Sequence, residues 1–151
     1  MSKTNKWQTN INKVVRWAST KNYDVEFHPN NDDEMDEFQK LVTINSRFKP
    51  ECQLYALLHE CGHLLIRKNT KRYNKLYPVA KKLTDQIHKG IAKGRKYQID
   101  VISEEIDAWR IGKNLAKRLN IRIDEDNYNN EMAKYVYSYI EEAYEVTKKK
   151  R

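Results

Sequence analysis

The stretch Leu57-Leu58-His59-Glu60-Cys61-Gly62-His63-Leu64-Leu65 places His-Glu-x-x-His inside an otherwise apolar run. On a helix, residues i and i+4 share one face at about 6 Å, so the His59 and His63 imidazoles can converge on one ion. Zinc accepts neutral imidazole and, in catalytic sites, keeps one position open for water. Glu60 lies between the two histidines, within reach of that water as a general base. Without these three residues, Leu54 to Ile66 reads as a buried apolar helix. Three ionisable groups there are costly unless they are paired or hold a metal. The plain alternative is two core histidines satisfied by hydrogen bonds, with Glu60 in a salt bridge. The apolar context favours a Zn2+ site, and the chemistry that follows is hydrolysis of a peptide bond by an activated water.

A catalytic zinc needs a third protein ligand. The longer form of the motif, with a further Gly and His, is absent, because Ile66 and Asn69 stand at those places. The only other histidines are His28 and His88. The better source is Ser103-Glu104-Glu105-Ile106-Asp107-Ala108-Trp109, inside a strong helical pattern from Asp100 to Leu119. At about 100° per residue, Val101, Ala108, Gly112, Leu115, Ala116 and Leu119 share one face. Glu105 falls near the middle of that face, about 20° from Gly112, and Glu104 near its edge. A carboxylate centred in an apolar stripe needs a partner, and a metal ion held by a facing helix supplies one. Ala108 and Gly112 are small enough to let two helices approach closely. Glu105 is therefore the expected third ligand; the alternative is an ordinary surface glutamate.

These residues, with Leu41-Val42-Thr43-Ile44-Asn45 upstream, resemble the ImmA/IrrE-type metallopeptidases over roughly residues 40–119. In that family a strand precedes the zinc helix, and a Glu-x-x-Ala on a later helix completes the metal site; here that is Glu105-Ile106-Asp107-Ala108. The resemblance implies His59, His63 and Glu105 as zinc ligands and Glu60 as the base. It also implies that Leu41, Val42, Thr43, Ile44 and Asn45 pair as an edge strand with an extended peptide substrate. The implied fold is α+β and zincin-like, mainly helical with a small two- or three-stranded sheet. The implied substrate is a specific intracellular protein. A SprT-like, DNA-associated protease is the nearest alternative; its third ligand is a histidine, for which His88-Lys89-Gly90 is the candidate.

The elements that must position these groups are legible from periodicity. Trp7, Ile11, Val14, Val15 and Ala18 mark a helix face over Lys6 to Thr20, and Asp24 to His28 alternates as a strand. His28 to Asp33 is turn chemistry leading into an acidic stretch, and Leu41 to Asn45 is β-rich. Pro50 suits the first position of a helix reaching about Lys68, with Glu51 at its start and Arg67 and Lys68 at its end. A helix around Val79 to Ala92 is weakened by Gly90 and Gly94. Ile121-Arg122-Ile123 reads as a short strand or an extended link, and Tyr128 to Val146 as a closing helix with Met132, Val136, Tyr139, Ala143 and Val146 on one face. One domain over 1–147 is expected, with a basic, disordered tail over 148–151.

In 151 residues, four Gly and three Pro argue against a loop-rich all-β fold. No apolar run is long enough to cross a bilayer, and no signal-peptide core follows the N-terminus. Cys52 and Cys61 would sit on one helix about 13 Å apart in rise, beyond disulfide reach. Cys61 points away from the ligand face, and a reduced, cytoplasmic location is expected. The net charge of +8 is local: residues 51–100 hold 11 basic and 4 acidic side chains. Between Arg67 and Lys96 the only acid is Asp85. That segment is either a solvated connection or a guide for an acidic or nucleic-acid-bound protein substrate, with direct nucleic-acid contact through 67–96 a further option. Its tyrosines, Tyr73, Tyr77 and Tyr97, are candidates for oxyanion stabilisation. No membrane partner is expected. The reading from another class is a non-catalytic, zinc-containing module that binds nucleic acid or protein.

Overall fold

The computed structural model describes residues 3–80 and 94–148. In chain order it contains α1 (Lys3–Thr20), β1 (Asp24–His28), β2 (Glu34–Asp36), β3 (Leu41–Asn45), α2 (Pro50–Lys68), α3 (Thr70–Leu76), α4 (Arg95–Arg118) and α5 (Glu125–Lys148). The described chain is thus mostly helical with one small mixed sheet, an α+β arrangement. No helix among the described residues is long and apolar enough to cross a membrane.

α1 buries Ile11, Val14 and Ala18, the apolar spacing of its sequence. It ends where Asn22 enters the left-handed region at φ 65°, letting the Tyr23 N–H reach back to the Ala18 carbonyl at 3.0 Å. Asn120, at φ 56°, ends α4 in the same way, with Ile121 N–H on Ala116 O at 2.8 Å. Asparagine tolerates this conformation better than other side chains with a Cβ, so both helices stop at an Asn. Ile121 to Ile123 forms no strand; Ile121 simply closes over the core.

The sheet has the order β1-β3-β2, with β1 parallel and β2 antiparallel to β3. Asp36 Oδ1 accepts from the Phe38 and Gln39 N–H groups at 2.9 and 3.0 Å and organises the turn between β2 and β3. Val42 and Ile44 alternate inward and are fully buried beneath α2. The strand expected at Leu41–Asn45 is present, but its expected role is corrected. Leu41, Val42, Thr43, Ile44 and Asn45 form the central strand, not an edge. β1 pairs along all five residues, β2 takes Leu41 to Thr43 on the other side, and the Asn45 N–H is bound by Asp33 Oδ1 at 2.7 Å. A peptide has no free backbone there to pair with. β1 and β2, the latter a three-residue strand of Glu34, Met35 and Asp36, supply the two edges instead.

α2 is the hub. Every residue from Leu54 to Leu64 is buried, so the helix is covered on all sides, by α1, the sheet, α4 and α5. Cys61 is fully buried and Cys52 half-buried; both are free thiols. α3, Thr70–Leu76, follows at once, capped by Asn69 Oδ1 on the Arg72 N–H at 3.0 Å. The helix expected over Val79 to Ala92 lies outside the described residues from position 81, as does His88. α4 begins at Arg95, five residues earlier than its apolar pattern suggests, and α5 runs to Lys148, with the rest of the basic tail outside the described residues.

The tightest packing joins α2 to α4. A Cβ at Gly62 would stand 2.1 Å from the Ala108 carbonyl oxygen, and one at Gly112 would stand 2.5 Å from the Leu58 carbonyl oxygen. Position 62 meets 108 while 58 meets 112, so the helices run antiparallel, each offering a glycine to the other's backbone. No side-chain motion can relieve a clash with backbone. Gly62→Ala should therefore exceed the ~1–3 kcal/mol of ordinary overpacking, read as a lowered melting temperature or loss of the folded state by circular dichroism. A melt unchanged from wild type would mean the helices are farther apart than described.

Candidate metal centre

α2 carries His59 and His63 on the face turned to α4, and the paired glycines bring α4 close enough for Glu105 to meet both. His59 Nε2 lies 3.0 Å from Glu105 Oε2, and His63 Nε2 lies 2.9 Å from Glu105 Oε1. The two Nε2 atoms are 3.2 Å apart. All three residues are buried, with 7–9% of their surface exposed. The helical-wheel argument for Glu105 is thereby matched in space: it sits on the buried face with Ala108, Gly112 and Leu115.

This group can bind a metal ion. Two ligands bonded at tetrahedral angles to zinc at 2.0–2.1 Å would be separated by about 3.3 Å, close to the spacing seen. The donor set, two imidazoles and a carboxylate, is one that catalytic zinc sites use. Electrostatics agree. Burial pushes the His59 imidazole below its ordinary value, favouring the neutral form that ligates. Burial also opposes ionisation of Glu105, but hydrogen bonds from His59 and then His63 outweigh it and hold that carboxyl at about 2.

Around the three lies a supporting shell that sequence reasoning left at the margin. Glu104, read as an edge residue, is 5% exposed. Its Oε2 bonds His63 Nδ1, and Arg67 donates to its two oxygens at 3.3 Å each. Arg67 also reaches Glu37, in the β2–β3 turn, at 3.6 Å. Such a carboxylate keeps the proton on Nδ1 and aims the Nε2 lone pair at the centre. Burial lowers His63, yet Glu104 and then Glu105 prevail and hold the ring at about 10, so a metal ion has to displace the Nε2 proton before that nitrogen can ligate. His59 is oriented differently. Its Nδ1 is buried with no hydrogen-bond partner among the described residues, and the ring is stacked on Trp109 at 4.3 Å, which stacks in turn on Tyr135 at 5.8 Å.

Glu60 borders the centre without joining it, its Oε1 lying 3.9 Å from His59 Nε2. Burial pushes its carboxyl up to about 8, with His63 opposing. It lines a cavity of about 390 Å³ together with His59, Glu105, Trp109 and Tyr139. The other carboxylates there are Asp32, Asp33 and Glu142, with no Lys or Arg among the described lining residues. A second cavity, of about 330 Å³, lies beyond His63 and Glu104 and is lined by Arg67, Tyr73 and Tyr97. Tyr139 of α5 borders both cavities, and burial, with the charges of Glu105 and Glu60, pushes its hydroxyl above the ordinary tyrosine range. Of the tyrosines expected near the centre, Tyr73 and Tyr97 line that second cavity, whereas the Tyr77 hydroxyl is committed to Asp107 at 2.6 Å. Tyr139 was visible in sequence only as part of an apolar helix face.

Comparison with protein-family models, with curated proteins and with solved structures gave no match. The chemistry of the centre therefore has to be argued from its own residues. His59→Ala, His63→Ala and Glu105→Ala should each abolish stoichiometric zinc uptake, measured by elemental analysis after dialysis. Glu104→Ala should keep the ion at ~10–100-fold weaker affinity, and His88→Ala should leave it unchanged. Full zinc retention by Glu105→Ala, or loss in His88→Ala, would remove Glu105 from the ligand set.

Proposed function

We propose that this protein is a zinc-dependent metallopeptidase with a zincin-like fold, of the ImmA/IrrE type. The observation that carries the proposal is the convergence of His59 Nε2, His63 Nε2 and Glu105 in one buried group, with Glu60 beside it. The three would hold zinc, which when bound polarises a scissile carbonyl and acidifies water. Glu60 accepts the proton of the attacking water and delivers it to the leaving amide nitrogen. Burial suits it to that exchange, because a base poised near the working pH both takes and returns a proton. The Tyr139 hydroxyl, at the junction of the two cavities, is the donor placed to meet the oxyanion of the tetrahedral intermediate.

Of the two edge strands, β1 and β2, β2 follows Asp33 directly, and on this reading the substrate backbone pairs there. The cavity beside Glu60 carries Asp32, Asp33 and Glu142, so the substrate segment entering it is neutral or basic rather than acidic. A closed structural zinc site would need four protein ligands and no general base; among the described residues three candidate ligands gather, and Glu60 stands beside them without joining them. That favours the enzyme over the non-catalytic module.

Glu60→Gln is the decisive variant. It should bind zinc as wild type does, since Glu60 is no ligand, and cut peptides at least ~100-fold more slowly, with products of a mixed peptide library followed by mass spectrometry. Cleavage at the wild-type rate would exclude Glu60 as the base, and absence of zinc from both proteins would exclude the enzyme.

A further inference from the structure

Among the described residues of the basic segment, Arg67 and Arg72 part company in three dimensions. Arg67 is drawn into the metal centre by Glu104 and Glu37. Arg72 points elsewhere, into a groove of about 670 Å³ between the end of α2, α3 and the outer side of α4. There α4 contributes Arg110, Asn114 and Arg118, spaced four residues apart, so they form one stripe along the helix. Counted at about 100° per residue, that stripe lies on the side of α4 opposite Glu105. The groove and the metal centre are back to back.

Arg72, Arg110 and Arg118 make no ion pair and no side-chain hydrogen bond among the described residues. Asp107 is the only carboxylate in the lining, and it accepts from Tyr77. At the Arg118 end the charge is denser still. Lys68, then burial and lastly Arg118 push the Lys21 ammonium below its ordinary value, and no described carboxylate pairs with any of the three. Cations drawn together without counter-charge are unfavourable in the isolated protein and favourable once an anion lies among them. The floor is apolar: Leu65, Ile66, Ile111 and Leu76, the last 49% exposed.

We propose that this groove binds a single-stranded nucleic acid. Planar guanidinium groups grip phosphate oxygens two at a time, which arginine does and lysine does not. From Arg110 to Arg118 the helix rises about 12 Å, against one phosphate every ~3.4 Å of a stacked strand, so more than one phosphate is met. The volume admits a nucleotide-sized group onto the aliphatic floor. A duplex, with its bases stacked inside, would leave that floor uncovered. The proposal does not depend on the metal centre or on peptidase activity.

The test is anisotropy of a fluorescein-labelled single-stranded oligodeoxynucleotide, titrated with the full-length protein over ~50 to ~200 mM salt. Wild type should bind with strong salt dependence, unchanged by a zinc chelator. The Arg72→Gln/Arg110→Gln/Arg118→Gln variant should bind at least ~10-fold more weakly, and its log–log salt slope should be shallower by ~2, three single-strand phosphate contacts at ~0.7 each. A control carrying Lys6→Gln, Lys13→Gln and Lys148→Gln has the same net charge and should lose less than about threefold, as expected for long-range attraction alone. Equal loss in both variants, or no binding by wild type, would overturn the proposal. Displacement of the oligonucleotide as readily by a polyglutamate peptide would overturn the assignment to nucleic acid in favour of an acidic protein.

Discussion

Backbone contact between α2 and α4 is the constraint on which the remaining structure rests. Gly62 faces the Ala108 carbonyl and Gly112 faces the Leu58 carbonyl, at separations that exclude even a methyl group. That proximity sets the reach of a glutamate side chain. Glu105 spans from one helix to the two imidazoles on the other at 2.9 and 3.0 Å, and widening the gap by the thickness of a methyl would break both contacts. It also creates a problem that has to be answered. His59, Glu60, His63, Glu104 and Glu105 are all at least nine-tenths buried within a few turns of helix, and removing such charges from water costs several kcal/mol for each ion left unpaired. Mutual pairing answers part of it; an ion shared by three of them answers more.

Rigidity around this contact comes from two directions. From the sheet, Glu37 holds Arg67, Arg67 holds Glu104, and Glu104 holds the far nitrogen of His63. From the helical side, Tyr135 and Trp109 stack against His59, while the Tyr128 hydroxyl donates to the Trp109 carbonyl. Polar bonding orients one imidazole and aromatic stacking the other. The start of α2 is tied down as well. The Tyr55 hydroxyl donates to Glu51 at 2.8 Å and accepts from the Asp124 N–H at 3.0 Å, joining α2 to the link between α4 and α5. Helix spacing, ring orientation and the position of α5 with its Tyr139 are therefore one mechanical unit.

The centre was legible in sequence because both of its signals are local. Four-residue spacing set the histidines together, and a charged residue in the middle of an apolar stripe betrayed Glu105. What was hidden depends on tertiary contact. Glu104 is separated from Glu105 by a single residue step, and nothing in periodicity says that an edge position will meet His63 and Arg67. β2 is three residues long and two of them are acidic, so its composition resembles the turn before it. With β2 unseen, Leu41 to Asn45 took the place of an edge that it does not have. α3 is seven polar and basic residues whose one buried side chain, Tyr73, is too little to set a period.

Charge was the most misleading quantity when read along the chain. A run of cations between Arg67 and Lys96 suggests one basic surface beside the metal helix and, through it, an acidic substrate. In space its described members divide. Arg67 is neutralised inside the centre, Arg72 joins two arginines of α4 on the reverse side, and the cavity at Glu60 is lined by carboxylates. The two proposals, a peptidase centre with an acid-lined cavity and a nucleic-acid groove behind it, thus call for opposite charges on opposite sides. One kind of target meets both. Proteins that bind nucleic acid do so through basic segments, so such a protein, met on its nucleic acid, offers phosphate to the groove and a basic chain to the cavity. Holding the nucleic acid at the back would raise the local concentration of that chain at the front, by an amount set by geometry rather than by any new contact at the centre.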